Sequence, residues 1–320
     1  MLNRATPKRP SHPKHGLAFS RDLQLVESHV REGRFQRTLA LIAGLSSILA
    51  GAEVAYEHYR GSYGQKIMYT PVILSVAMAC SGVWGAFNRR VARTLLRWVS
   101  AITLADGLVG FCFHIRGIAR KPGGWRLPIT NIIMGPPIFA PLLFGVSAYL
   151  GGLASFLRPE EIPADTAVRS WRPGRLDVGK KLSLASEIRQ GRYQKHLALV
   201  TILGTLFSGS EALYSHYKNN FQYRSQWTPV ILSPLLIGSA AAAIPSQRAA
   251  QTALPLFSIL AMVDGAVGFA FHVRGVWRRP GGKKKLFYNI IYGPPIFAPL
   301  LFAACGFVGL LASMMRRENP

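Results

Sequence analysis

Eight apolar blocks of 17 to 26 residues divide the chain, and they constrain its fold more than any other feature. An α-helix rises about 1.5 Å per residue and needs about 20 apolar residues to cross the hydrocarbon core of a bilayer. The blocks therefore predict an all-α polytopic membrane protein with eight transmembrane helices. They lie at Thr38–Tyr59, Thr70–Phe87, Trp98–Ile115, Ile132–Leu157, Leu197–Tyr217, Thr228–Ile244, Leu254–Val273 and Ile290–Met315.

Composition agrees with a membrane protein and excludes several other classes. Hydrophobic residues make up 49% of the chain, which is high for a soluble protein. The net charge of +24 does not indicate a nucleic-acid-binding protein, because the basic residues are spread over the segments between the blocks. The three cysteines lie inside apolar blocks without paired spacing, so neither disulfides nor a cysteine metal site is expected. The first 37 residues lack a signal-peptide cleavage pattern.

The chain repeats itself at a constant offset of 158 residues. Thus "YTPVILS" matches "WTPVILS", "HIRGIARKPGG" matches "HVRGVWRRPGG", and "NIIMGPPIFAPLLF" matches "NIIYGPPIFAPLLF". Each copy has an even number of blocks, so both insert in the same direction, as two tandem parallel four-helix repeats. The predicted units are a basic tail (1–37), a first repeat (38–157), a linker (158–195) and a second repeat (196–320). Amphipathic interfacial helices are expected at 20–36 and 180–194.

Charge predicts the orientation. With the N-terminus inside, the inner segments hold 24 lysines and arginines and the outer loops hold 14. This bias places both termini and the linker in the cytoplasm, in a bacterial cytoplasmic membrane. The outer loops contain no acidic residue at all. Two interpretations stay open for them: anchoring to lipid headgroups, or attraction of an anion or an acidic partner protein.

Four acidic residues inside the blocks recur in both repeats. Ionisable groups at membrane depth are costly and are usually functional. They are the candidate catalytic or proton-carrying residues Glu53, Asp106, Glu211 and Asp264. A further acid, Glu57, has Ser215 at the matching position, so only one repeat carries it. The alternative is that the four carboxyl groups make structural hydrogen bonds.

Four histidines near the outer ends of the first and third blocks recur in the same way. They are His58, His114, His216 and His272. Glycines four or seven residues earlier share a helical stripe with them, and these are Gly51, Gly110, Gly209 and Gly268. Two imidazoles across bare helix surface are typical axial ligands of a b-type haem, so the histidines are candidate metal ligands and one haem b is expected per repeat. Close helix packing and headgroup contact are the alternatives.

The fourth block of each repeat adds polar groups at the same outer level. Pro136, Pro137 and Pro141 interrupt the first copy, and Pro141 frees the carbonyl of Pro137. A plain kink is the simpler interpretation. The outer level also includes further candidate cofactor-binding residues, Asn131, Asn289, Arg116 and Arg274.

Three functions therefore stay open. The first is a membrane redox subunit with up to two b-type haems or other His-ligated centres, exchanging electrons with quinone or a partner protein. The second is a proton-coupled transporter, or a lipid- or anion-handling protein, that uses the intramembrane acids. The third is a structural membrane subunit of a larger complex. Whether the protein is an enzyme stays open.

Overall fold

The computed structural model describes residues 18–160, 188 and 192–315, and all regular elements among these residues are helical. The amphipathic helix expected over 20–36 corresponds to α1 (Ala18–Arg31). The one expected over 180–194 lies almost wholly outside the described residues, as do the basic tail before α1 and most of the linker.

Five further helices follow in the described part of the first half, besides single turns. They are α2 (Gln36–Arg60), α3 (Thr70–Phe87), α4 (Arg97–Ala119), α5 (Pro128–Ile133) and α6 (Ala140–Ala154). A 3-10 turn over Lys66–Tyr69 leads into α3, and a π-helical turn over Ala92–Leu96 leads into α4. Proline in the first turn of α3 suits a helix start, since its missing N–H would have no intrahelical partner there.

The second half has the same order of elements. Its helices are α7 (Gln194–Lys218), α8 (Thr228–Ala243), α9 (Ala253–Arg278), α10 (Leu286–Ile291) and α11 (Ala298–Met314). A short helix over Gln247–Gln251 precedes α9. Left-handed glycines at Gly123 and Gly281, with φ of 79° and 82°, form the turns before α5 and α10.

Within the described ranges, five helical stretches are long and apolar enough to cross a membrane. They are Gln36–Arg60, Lys66–Phe87, Arg89–Ala119, Gln194–Lys218 and Gln247–Arg278. Large apolar side chains point outward from them, including Ile73, Phe87 and Leu108, each more than half exposed. Such surfaces are costly in water and suited to lipid. The protein is therefore an integral membrane protein.

The fourth block of each half is interrupted more widely than a kink. Residues 134–139 separate α5 from α6, and α6 has 15 residues, or about 22 Å, which is shorter than the hydrocarbon core. The break coincides with Pro136, Pro137 and Pro141, which cannot donate to helical hydrogen bonds. The prediction of one continuous helix over Ile132–Leu157 is therefore wrong, and the same holds for Ile290–Met315.

Glycines let the helices of each half approach closely. A Cβ on Gly82 of α3 would lie 2.7 Å from the carbonyl oxygen of Ala40 in α2 and 3.0 Å from Cα of Gly44. A Cβ on Gly107 of α4 would lie 2.7 Å from the carbonyl oxygen of Pro141 in α6. Backbone therefore packs against backbone at both crossings, as is common between membrane helices.

The two halves pack together through their first and fourth segments. Helix α2 contacts α6 and the second half's α10 and α11, while α7 contacts α11 and the first half's α5 and α6. The rings of Phe139 and Phe207 stack across this boundary with centroids 4.7 Å apart, and Tyr59 meets Phe287 edge to face. We call this surface the unit boundary.

The ends of the bundle opposite the histidines are held by buried amides. Nε2 of Gln36 donates to the carbonyl of Gly85 at 2.9 Å, and Nε2 of Gln194 donates to that of Ala243 at 3.1 Å. Both glutamines are almost fully buried. Since each amide joins the start of a first helix to the end of a second, it fixes the register of that pair.

Candidate functional site

Two of the candidate acids meet at the unit boundary. Glu53 of α2 and Glu211 of α7 come from different halves, yet they lie close enough to interact electrostatically. The carboxylate of Glu211 faces the backbone amides of Phe139 and Ala140, at the start of α6. A helix N-terminus has free N–H groups and a positive dipole end, which suits a carboxylate. The break in the fourth segment creates this N-terminus.

Both carboxyl groups have an oxygen without a partner among the described residues. Oε1 of Glu53 accepts a long hydrogen bond, 3.4 Å, from the hydroxyl of Tyr56. Oε2 of Glu53 and Oε1 of Glu211 are buried and accept no hydrogen bond from the described chain. An unpartnered buried carboxylate oxygen is costly, and binding a proton or a cation removes that cost.

Sequence reasoning missed the tyrosines beside these acids. Tyr56 lies three residues after Glu53, and Tyr214 lies three residues after Glu211, within electrostatic range of it. The signal was present, since "EVAY" and "EALY" match at the 158-residue offset. A residue three positions away on a helix lies beside its neighbour, so each acid has an adjacent phenol.

Glu57 differs from the two boundary acids. Its carboxylate pairs with the guanidinium of Arg60 at 3.1 Å, and its side chain is 35% exposed. It is a partly exposed ion pair that still lies within electrostatic range of both Glu53 and Glu211, and the second half has no matching acid.

The other two candidate acids stay apart from the boundary. Oδ1 of Asp106 accepts a hydrogen bond from the hydroxyl of Thr70 at 2.6 Å, and Asp264 accepts one from Thr228 at 2.5 Å. Each bond joins the third long helix of a half to the start of the second. This geometry matches the structural alternative, and a role in proton transfer stays a prediction.

The histidines are anchored through one ring nitrogen. Nδ1 of His58 lies 2.7 Å from the carbonyl oxygen of Met68, and Nδ1 of His114 lies 2.5 Å from that of Pro137. His272 repeats the second contact with Pro295, also at 2.5 Å. A carbonyl only accepts, so Nδ1 carries the proton and Nε2 of the neutral ring keeps a free lone pair.

The prediction that Pro141 frees the carbonyl of Pro137 is therefore confirmed, because that carbonyl accepts from His114. The two histidines of each half lie close enough to interact electrostatically: His58 with His114, and His216 with His272. For His216 the nearest ring is that of Phe221, with centroids 6.2 Å apart.

The glycine surfaces beside the histidines are occupied. A Cβ on Gly110 would lie 3.1 Å from Cβ of Pro141, and one on Gly268 would lie 3.1 Å from Cβ of Pro299. A Cβ on Gly51 would overlap the hydroxyl of Ser75, and Gly209 meets Ser233 in the same way. The expectation of bare helix surface for a flat macrocycle is therefore wrong, since these glycines serve helix packing.

The candidate asparagines hold in place the loops that follow α4 and α9. Nδ2 of Asn131 donates to the carbonyls of Pro122 and Gly124, at 3.1 and 2.7 Å. Asn289 repeats both contacts with Pro280 and Gly282. Their amide nitrogens are thus engaged with the chain itself, and cofactor binding by them stays a prediction.

The candidate arginines lie near the C-terminal ends of α4 and α9. Arg116 and Arg274 are exposed there, and neither has an acidic partner among the described residues. Within that part of the chain, no group of three or more His, Cys, Asp or Glu side chains is arranged to hold a metal ion.

Comparison with protein-family models, with curated proteins and with solved structures gives no match. Any function must therefore be inferred from the side chains themselves, above all from the buried carboxyl groups at the unit boundary.

Proposed function

We propose that the protein is a proton-coupled transporter or anion-handling membrane protein in which Glu53 and Glu211 bind the proton. The observation that carries this proposal is the pair of buried, unpartnered carboxylate oxygens at the unit boundary. A negative charge near a buried carboxyl group favours its protonated form, and Glu53 lies within electrostatic range of both Glu57 and Glu211. The interrupted fourth segments beside them supply backbone groups at membrane depth, where such breaks are tolerated around a ligand or water.

The two acids have different partners, which suits a proton carrier. Glu211 faces two backbone amides and Glu53 faces a tyrosine hydroxyl. Amide donors stabilise the charged carboxylate, while a partnerless oxygen favours the protonated form. A proton passing between the pair would therefore bind Glu53 more readily than Glu211.

An anion is the solute that the outer surface favours. The outer loops carry 14 basic residues and no acidic one, so they attract anions by long-range electrostatics. An anion that enters together with a proton crosses as a neutral pair, which lowers the cost of moving charge through lipid.

Proton entry into vesicles tests this function. The full chain is reconstituted into liposomes that contain a pH-sensitive dye, and the outside is acidified in the presence of phosphate, sulfate or acetate. We expect at least one of these anions to speed acidification of the lumen well above that of empty liposomes. Entry at the rate of empty liposomes with all three would contradict proton-coupled anion movement.

We further propose that the two halves are tandem repeats with four membrane segments each, counting each broken fourth segment as one. Matching contacts at the 158-residue offset support this. The bonds of Thr70 with Asp106, of His114 with Pro137, and of Gln36 with Gly85 all have counterparts in the second half.

An even number of segments places both termini and the 158–195 linker on one side, and the basic residues place that side in the cytoplasm. Single cysteines at Ser62 and Ser170, in a chain without its own cysteines, check this orientation. A membrane-impermeant maleimide added to intact cells should label the cysteine at Ser62 and leave that at Ser170 unlabelled until the cells are opened. Labelling of the cysteine at position 170 in intact cells would show that the proposed orientation is inverted.

A His-ligated metal centre is the second candidate function. The observation in its favour is the anchored Nδ1 of His58, His114 and His272, which leaves Nε2 free to bind a metal. When bound, a haem or metal ion would supply redox chemistry. The filled glycine surfaces offer no slot for a porphyrin, so the residues fit a single ion better than haem b.

Metal content and the visible spectrum of the purified protein decide this second candidate. If the pairs bind metal, His114→Ala should remove about half of it and leave the second half's share, and His272→Ala should remove the other half. The reciprocal loss follows because each half has its own pair. A colourless, metal-free protein from cells supplied with haem and metals would exclude this function.

A further inference from the structure

We propose that the outer half of α4 is a binding site for an anionic phospholipid. A shallow, open groove of about 340 Å³ lies on the surface of this part of the helix and is lined by Leu108, Val109, Cys112, Phe113 and Arg116, all from α4 itself. These positions are related by steps of three and four residues, so they form one face of the helix. The volume lies within the range of small-ligand sites in proteins.

The groove is apolar along its length and cationic at one end, which complements the acyl chain and the phosphate of a phospholipid. Its floor is apolar, and Leu108, Val109 and Phe113 are each at least 40% exposed. Arg116 lies at the outer end of the groove, eight residues or about 12 Å along the helix from Leu108. An acyl chain fits along the apolar floor, and a headgroup phosphate then lies at the level of the guanidinium.

Charge complementarity favours an anionic headgroup over a neutral one. Arg116 has no acidic partner among the described residues, and Arg120, Lys121 and Arg126 follow in a loop without acids. A guanidinium binds a phosphate through two parallel hydrogen bonds, and neighbouring cations add attraction for net negative charge. Exposed Trp125, in the same loop, suits the headgroup level of a bilayer.

The second half provides a built-in comparison. Arg274 matches Arg116, but alanines replace two lining residues, because Ala266 matches Leu108 and Ala270 matches Cys112. The second half thus keeps the arginine, but the face of α9 beside it has smaller side chains than the matching face of α4. The inference concerns a lipid site on the outer surface of α4 and does not depend on proton transport at the unit boundary.

Cys112 makes the site directly testable, because it lines the groove and is exposed. The purified full chain in neutral detergent is treated with N-ethylmaleimide, with either dioleoyl-phosphatidylglycerol or dioleoyl-phosphatidylcholine present, and alkylation is followed by peptide mass spectrometry. We expect phosphatidylglycerol to slow alkylation of Cys112 several-fold relative to phosphatidylcholine. Exposed Cys80 on α3 should react at the same rate with both lipids, and buried Cys305 should stay unmodified.

Arginine variants complete the test. Arg116→Gln should remove the difference between the lipids, Arg116→Lys should retain part of it, and Arg274→Gln should leave it unchanged. Equal rates at Cys112 with both lipids would overturn the proposal, as would a difference that persists in Arg116→Gln. The proposal would also be overturned if alkylation of Cys112 slowed with rising protein concentration and did not depend on which lipid is present, since a second copy of the protein would then cover the groove.

Discussion

Replacing Gly82 by leucine should prevent the protein from folding, while leucine at Gly238 should be tolerated. At Gly82 even a Cβ would lie 2.7 Å from the carbonyl oxygen of Ala40 and 3.0 Å from two backbone atoms of Gly44. Backbone atoms cannot move aside as a flexible side chain can, so α2 and α3 would have to separate. Overpacking of a core costs about 1–3 kcal/mol even where side chains yield, and separating two helices costs more.

Gly238 is the matched control, since it lies in α8, the counterpart of α3, and a Cβ there meets no atom of the described chain within 4 Å. Both variants and the wild type are purified in the same detergent, and the yield of monodisperse protein and the thermal unfolding temperature are measured. A Gly82→Leu protein with the unfolding temperature of the wild type would show that the close approach of α2 and α3 is not required.

The bounds of a membrane helix can be predicted from the sequence where no proline interrupts the apolar run. The predicted block Thr70–Phe87 coincides with α3, because a proline at its start and Asn88 after its end bound a continuous apolar run. The fourth block fails for a physical reason. By hydropathy, Ile132–Leu157 is one apolar run. Three prolines within six residues, however, remove backbone N–H donors, and a separate helix, α6, begins at Ala140.

The candidate site was predicted in its residue types and missed in its geometry. Helical spacing places Glu53 about 140° round the helix from His58, so these two side chains had to face different neighbours. Which neighbours they face depends on the packing of the two halves, which no local pattern encodes. The partners of Asn131 could not be predicted for the same reason, because the left-handed turn at Gly123 brings the carbonyls of Pro122 and Gly124 within reach of its side chain.

The repeat itself carried the most functional information. Glu53 and Glu211, which the offset pairs in sequence, meet in space although 158 residues separate them. Glu57, which the offset leaves unpaired, lies on the surface in an ion pair with Arg60. Two copies of one sequence thus distinguished the two buried acids from a neighbouring acid that is more exposed and paired with an arginine.

That distinction gives the largest functional effect that we expect. Glu53→Gln and Glu211→Gln should each reduce proton entry into liposomes to the rate of empty liposomes, while Glu57→Gln should keep the wild-type rate. Glutamine has the shape of glutamate and its amide oxygen still accepts hydrogen bonds, so Tyr56 keeps its partner beside residue 53 and the start of α6 keeps its partner at residue 211. What glutamine lacks is the ability to bind and release a proton.

Infrared difference spectroscopy between acidic and alkaline buffer separates proton binding from folding. The wild type should show the carbonyl band of a protonated carboxyl group, shifted by deuterium oxide, and this band should be reduced in Glu53→Gln but unchanged in Glu57→Gln. Circular dichroism and gel filtration of all three variants should match the wild type, because no packed atom is removed. Folded Glu53→Gln and Glu211→Gln proteins with wild-type proton entry and an unchanged carboxyl band would mean that the two acids only accept structural hydrogen bonds at the unit boundary.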